Sequence, residues 1–174
     1  MLSQTTEYAL RAMACLAYSP DELTPTPRLA ELTLVPPNYL AKVLQSLAQA
    51  SLITGRRGVG GGYKLANPAS EISLLDVVNA IDPVERITSC PLGLPDHGSN
   101  LCALHSCVDE AARQFIDKFE SVRLSDLITE SNGSVPLCDT EMARELALSI
   151  EGKSLNENSV PPGSNGSANG SSPA

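Results

Sequence analysis

A mainly α-helical fold interrupted by a single two-stranded β-hairpin is what this 174-residue chain predicts, and three observations predict it. Apolar residues recur at helical spacing over residues 3–18, 40–47 and 108–122. One glycine cluster, Gly58-Val59-Gly60-Gly61-Gly62, lies between two short runs with strand character. The core material is aliphatic, with 42% apolar residues but only 3% aromatic and no Trp, a composition that suits packed helices better than a sheet sandwich.

The elements follow in order. Residues 3–18 read as a helix, because Tyr8, Leu10, Met13, Ala14 and Ala17 fall on one face, and Ser19-Pro20-Asp21 ends it. Thr26 is suited to cap a second, short helix with Pro27 in its first turn, running through Leu32. A tight turn, Thr33-Leu34-Val35, leads to Pro36-Pro37 and a third helix that reaches about Ala50. Leu40, Val43, Leu44 and Leu47 form its apolar stripe, while Asn38, Lys42, Gln45 and Gln49 share the opposite face. Two helices joined by a short turn, the second carrying amides and a lysine, match a helix-turn-helix whose second helix fits the major groove. Lys42 suits phosphate or guanine, and Asn38 or Gln45 suits adenine. The same polar face would equally serve an ordinary amphipathic helix turned to water.

The next segment favours the DNA reading. Leu52–Arg56 and Tyr63–Leu65 read as strands around Arg57-Gly58-Val59-Gly60-Gly61-Gly62, with glycines supplying the turn and two arginines at its base. Such a hairpin is a wing able to lie on phosphates or reach into a narrow minor groove. A nucleotide-binding loop is excluded: no Walker-type Gly-Lys-Ser/Thr pattern is present, and Tyr63 occupies the last position of the dinucleotide pattern. The fold class predicted is therefore a mainly α winged helix-turn-helix with a long C-terminal helix.

Charge supports that reading only when it is mapped. The net charge is −8, which argues against nucleic acid as a partner. Residues 23–70, however, carry Arg28, Lys42, Arg56, Arg57 and Lys64 against Glu31 alone, a local +4. Screening confines surface charges to about 8–10 Å of reach, so the local balance is the one a phosphate meets.

YALRAMACLA, RLAEL, PPNYLAKVLQSLAQASLI, RRGVGGGYKLA and ISLLDVVNAID occur in this order, and over roughly residues 1–127 the chain resembles the Rrf2 family of bacterial winged-helix regulators. That family includes an iron–sulfur cluster regulator and a nitric-oxide-sensing repressor. The resemblance implies a homodimer on double-stranded DNA with a pseudo-palindromic operator. It also implies a DNA surface of Asn38, Tyr39, Lys42 and Gln45 on the recognition helix, with Arg56, Arg57 and the wing glycines, Gly60 and Gly61 among them.

Five cysteines in a chain with neither a signal-like N-terminus nor an apolar run of membrane length point to a reducing cytoplasm and to metal or redox chemistry. Cys90, Cys102 and Cys107, spaced by eleven and four residues, lie in a Gly/Pro/Asn-rich loop before a helix expected to start near Cys107. Three thiolates on a loop able to wrap around metal suit an iron–sulfur cluster, 2Fe-2S or 4Fe-4S. Zinc and bare redox thiols are the competing readings. For a fourth ligand, Glu7 matches an acidic position that some family members contribute from the partner subunit, and His105 and His97 are local alternatives. Cys15 reads as a small core residue, and Cys138 has no assigned role.

Val108, Ala112, Phe115, Phe119 and Val122 recur in steps of four and three, a heptad-like stripe that reads as a dimer helix. The organisation expected is a DNA-binding domain over 1–83, a cysteine-rich sensor loop over 84–107, a dimerisation helix over 108–130 and a largely disordered tail over 131–174. Within that tail 139–150 reads as a marginal helix, and 152–174 is rich in Gly, Ser and Pro. No serine or cysteine has a base and an orienting partner, so the sequence predicts no enzyme. It predicts a cytoplasmic, DNA-binding regulator, a repressor, that senses redox state, nitric oxide or iron–sulfur status. A metal-free regulator or a thiol sensor without a cluster is the alternative.

Overall fold

The computed structural model describes residues 2–90 and 101–129. The expectations for His97, Cys138 and the 131–174 tail lie outside the described residues. Eight elements are described: α1 (Gln4–Ala17), α2 (Thr26–Thr33), α3 (Pro37–Gln49), β1 (Ile53–Arg56), β2 (Gly62–Leu65), α4 (Leu74–Asn79), α5 (Ala103–Ser121) and α6 (Leu124–Thr129).

Helix α1 is the hub. Ala9, Leu10, Ala12, Met13, Ala14, Cys15, Leu16 and Ala17 are all buried, so the helix is apolar on most sides and needs neighbours all round. It packs against α2, α3, α4, α6 and β2. Its start is fixed by Ser3, whose hydroxyl accepts from the Thr6 amide, and Asp82 accepts from both the Ser3 and Thr6 hydroxyls. Those hydroxyls, Ser3 first, hold the Asp82 carboxyl below the usual carboxylate range.

Helix α3 buries the expected stripe of Leu40, Val43, Leu44 and Leu47. Each such side chain contributes on the order of 1.5–3 kcal/mol by leaving water. Ser51 sits in the left-handed region at φ 59°, and its amide and that of Leu52 return to the Ala48 and Leu47 carbonyls. This is the paired closure that usually ends a helix with glycine. Between α2 and α3, Leu34 takes φ 54° and makes the turn of the helix-turn-helix.

Three expectations need correction. Pro25, not Thr26, occupies the cap position of α2, and Thr26 is its first helical residue. Helix α5 begins at Ala103 with Cys102 at its cap, so Cys107 lies in the second turn rather than at the start. The single helix expected over 108–130 is two helices. Val122 is extended, its carbonyl accepts from the Leu74 amide, and the Leu124 amide donates to the Ile72 carbonyl. Those two bonds and the complete burial of Leu124 outweigh one more turn of helix at Val122, and α6 returns to the body against α1. Among the described residues, α5 is the one helix with no buried side chain.

Candidate nucleic-acid interface and cysteine segment

The wing is more firmly tied than a free hairpin. Strands β1 and β2 pair antiparallel from Ile53 opposite Leu65 to Arg56 opposite Gly62. On the other edge of β2, Tyr63 exchanges two backbone hydrogen bonds of 2.9 Å with Thr24. Gly62 permits this contact, since a Cβ there would lie 2.4 Å from the Thr24 carbonyl oxygen. Thr24 gave no periodic signal in the sequence. A lone bridging residue before a proline has no pattern to betray it.

At the tip, the Gly61 amide donates to the Gly58 carbonyl at 3.0 Å, and Gly60 takes φ 70° in the third position of this turn. A positive φ there is what a type II turn requires. Arg56 is exposed but engaged: its Nη2 donates to the Gly60 carbonyl at 2.9 Å and braces the turn. Arg57 and Lys42 have no ion-pair partner among the described residues and are exposed. A groove of about 540 Å³ runs between the start of α2 at Pro25–Pro27, Ala48 of α3 and the Arg56–Gly58 side of the wing. Asn38, Tyr39, Lys42 and Gln45 are all exposed on α3.

Tyr39 is fixed by a contact not legible in the sequence. Its ring meets that of Tyr8 edge to face, with centroids 6.2 Å apart, and the Arg11 guanidinium lies 5.9 Å from the Tyr8 centroid. Arg11 also donates to the Thr33 carbonyl at 3.3 Å and pairs with Glu7. The first turns of α1 are thereby joined to the helix-turn-helix turn and to the start of α3.

The cysteines are brought together only in part. Cys90 is buried, Cys102 half-buried and Cys107 exposed. Cys102 Sγ and His105 Nδ1 are 3.3 Å apart, which sets one sulfur and one nitrogen donor side by side. Among the described residues no group of three His, Cys, Asp or Glu side chains is gathered for a metal. Glu7 is engaged by Arg11 of its own chain. Cys15 is buried on α1, as expected. The segment before Cys90 is clamped to α5 by Arg86, whose Nε and Nη2 both donate to the Asp109 carboxylate at 2.6 Å, with the Ile87 amide adding a bond of 2.9 Å. Arg86 holds the Asp109 carboxyl below the usual range.

A helix-turn-helix beside a braced, arginine-bearing wing defines a winged-helix protein of the nucleic-acid-binding class. A family model for Rrf2, described as an iron-dependent transcriptional regulator, matches residues 2–130. The chain belongs to the Rrf2 family of transcriptional regulators. Solved structures share the fold. CymR (YrzC), the global cysteine regulator of B. subtilis, is 21% identical with a TM-score of 0.63, over 76% of this chain and 98% of that one. IscR of T. potens is 19% identical with a TM-score of 0.63, over 76% and 89%. CymR of Staphylococcus aureus is 25% identical with a TM-score of 0.61, over 75% and 99%. Among the described residues no helix is long and apolar enough to cross a membrane.

Proposed function

We propose that this regulator acts as a homodimeric repressor on a pseudo-palindromic operator. Asn38, Tyr39, Lys42 and Gln45 read the major groove, and Arg57 with Gly60 and Gly61 form the wing contact. The observation that carries this reading is that Lys42 on α3 and Arg57 on the wing are both exposed and have no ion-pair partner among the described residues. Arg56 is assigned a positioning role, because one of its guanidinium N–H groups holds the Gly60 carbonyl of the turn. The dimer seam is the apolar stripe of α5, where Phe115 and Phe119 stack at 4.1 Å and Val108 is exposed.

The signal is read through Cys90, Cys102 and Cys107, as ligands of an iron–sulfur cluster. The iron-dependent description of the family and the soft donor set support it. His105 is the fourth ligand favoured over Glu7, since it already lies against Cys102 while Glu7 is paired with Arg11. What such a cluster supplies when bound is lability toward oxidants and nitric oxide. The full-length protein, purified without oxygen, is expected to show visible charge-transfer absorbance with matching iron and sulfide. Cys102→Ser is expected to lose it, and loaded and stripped wild type are expected to differ in DNA affinity. Colourless, iron-free protein from anaerobic cells would leave the second reading, a thiol sensor. Cys107, exposed and not grouped with other donors among the described residues, favours that reading.

A further inference from the structure

Between Arg57 and Gly62 the wing carries one side chain, that of Val59, and it is fully exposed at the end of the turn. A single exposed valine is ordinary on a protein surface. Its placement here is not. Gly58 and Gly60 take φ 93° and 70°, conformations that side chains rarely adopt, and a Cβ on Gly61 would lie 2.2 Å from the Arg56 carbonyl oxygen. The tip is therefore a thin backbone loop, kept free of side chains except for one isopropyl group and braced by the Arg56 bond to Gly60. B-DNA's minor groove is about 6 Å wide, which suits such a loop and few bulkier ones.

The hydrogen-bonding character of the tip gives the contact a preference. The carbonyls of Gly58 and Gly60 are occupied, by the Gly61 amide and by Arg56. The Val59 side chain offers neither donor nor acceptor, and that of Arg57 beside it, without an ion-pair partner among the described residues, offers donors only. Adenine N3 and thymine O2 are acceptors that Arg57 can satisfy. A guanine adds the N2 amino group, a donor that would be stripped of water against methyl groups.

We propose that Val59 is the minor-groove specificity residue of this protein, selecting A·T over G·C at the base pair the wing tip covers. The inference rests on the winged-helix DNA reading above and deepens it. The probe is a duplex selected by the full-length protein from a randomised library. Each base pair outside the recognition-helix contacts is then replaced in turn by G·C and by I·C. Inosine lacks only the N2 amino group, so the difference between the two replacements isolates that group. At the wing position I·C is expected to bind at least about fivefold more tightly than G·C, the lower end of the usual cost of one wrong base pair. Val59→Asn, whose amide oxygen can accept from the amino group, is expected to erase that ratio. If no position separates I·C from G·C, or if Val59→Asn keeps the ratio, the assignment to Val59 is overturned while DNA binding stands. If no duplex is enriched at all, the DNA reading itself fails.

Discussion

The winged-helix body and helix α5 belong to one chain but are stabilised in opposite ways. The body buries the apolar residues of α1 from Ala9 to Ala17 together with Leu29, Leu40, Leu44, Leu47, Ile72 and Leu124, most of them in one aliphatic cluster. Helix α5 is nineteen residues long and buries none of them, though Leu104, Val108, Phe115, Ile116 and Phe119 lie along it. Among the described residues it rests on α4 and is tied by the Arg86–Asp109 clamp toward one end and the Val122–Leu74 bond at the other. A helix so arranged gains little from its own body. Among the described residues none of its side chains is buried, and the proposed dimer gives the stripe a second copy to pack against.

The largest effect that sharpens this contrast lies in the body. Leu44→Ala is expected to cost about 2–5 kcal/mol in urea unfolding, the usual loss for an aliphatic side chain in a closed core. Phe119→Glu is expected to leave the far-ultraviolet spectrum of the body intact while sedimentation shows a monomer. If Phe119→Glu unfolds the protein as Leu44→Ala does, or if wild type is already a monomer at micromolar concentration, the contrast between the two regions is broken.

A second contrast lies within the wing. Arg57→Ala is expected to weaken binding to a selected duplex by about 1–3 kcal/mol and to lower the salt slope by about one. Arg56→Gln retains a donor for the Gly60 carbonyl and is expected to keep wild-type affinity. Titration at several salt concentrations separates them; equal losses for both variants would return Arg56 to the DNA surface.

The smallest effect concerns pH. Two bonds from Arg113 and one from Gln114 hold the Glu110 carboxyl at about 2, below its ordinary 4.5. A depressed carboxylate contributes stability that is fully present above its unfolded value and is lost as pH falls through its folded value. This ion pair is therefore expected to persist from pH 7 down past 4.5 and to fail toward pH 2. Circular dichroism of wild type and Glu110→Gln across that range is the check. A difference between them that vanishes already at pH 5 would contradict it.

Much of the body was legible in the sequence, because helical stripes such as Leu40–Leu47 and a glycine-built hairpin are local patterns. The long-range ties were not. Thr24 joins β2 across 39 positions, and Leu124 returns to the core beside Ile72, with no repeat in the sequence to mark either. The heptad-like spacing ran on through Val122, so the sequence alone read one helix where tertiary pairing makes two. At the site, residue types were legible but their engagement was not. Arg56 and Arg57 are adjacent and identical in sequence, yet only the fold shows that one braces the wing while the other has no ion-pair partner among the described residues. The cysteine trio was legible as a donor set, and the fold adds that His105 lies against Cys102 while Glu7 is held by Arg11.

The central claim is that two copies of this chain present their α3 helices and wings to one duplex, and hydroxyl-radical footprinting of the full-length protein on its selected duplex tests it most directly. The account predicts two equivalent protected patches related by a dyad, their centres about 10–10.5 base pairs apart or a multiple of that. Phe119→Glu should retain at most one patch, at much higher protein concentration. A single asymmetric patch for wild type, or two patches that survive unchanged in Phe119→Glu, would contradict it.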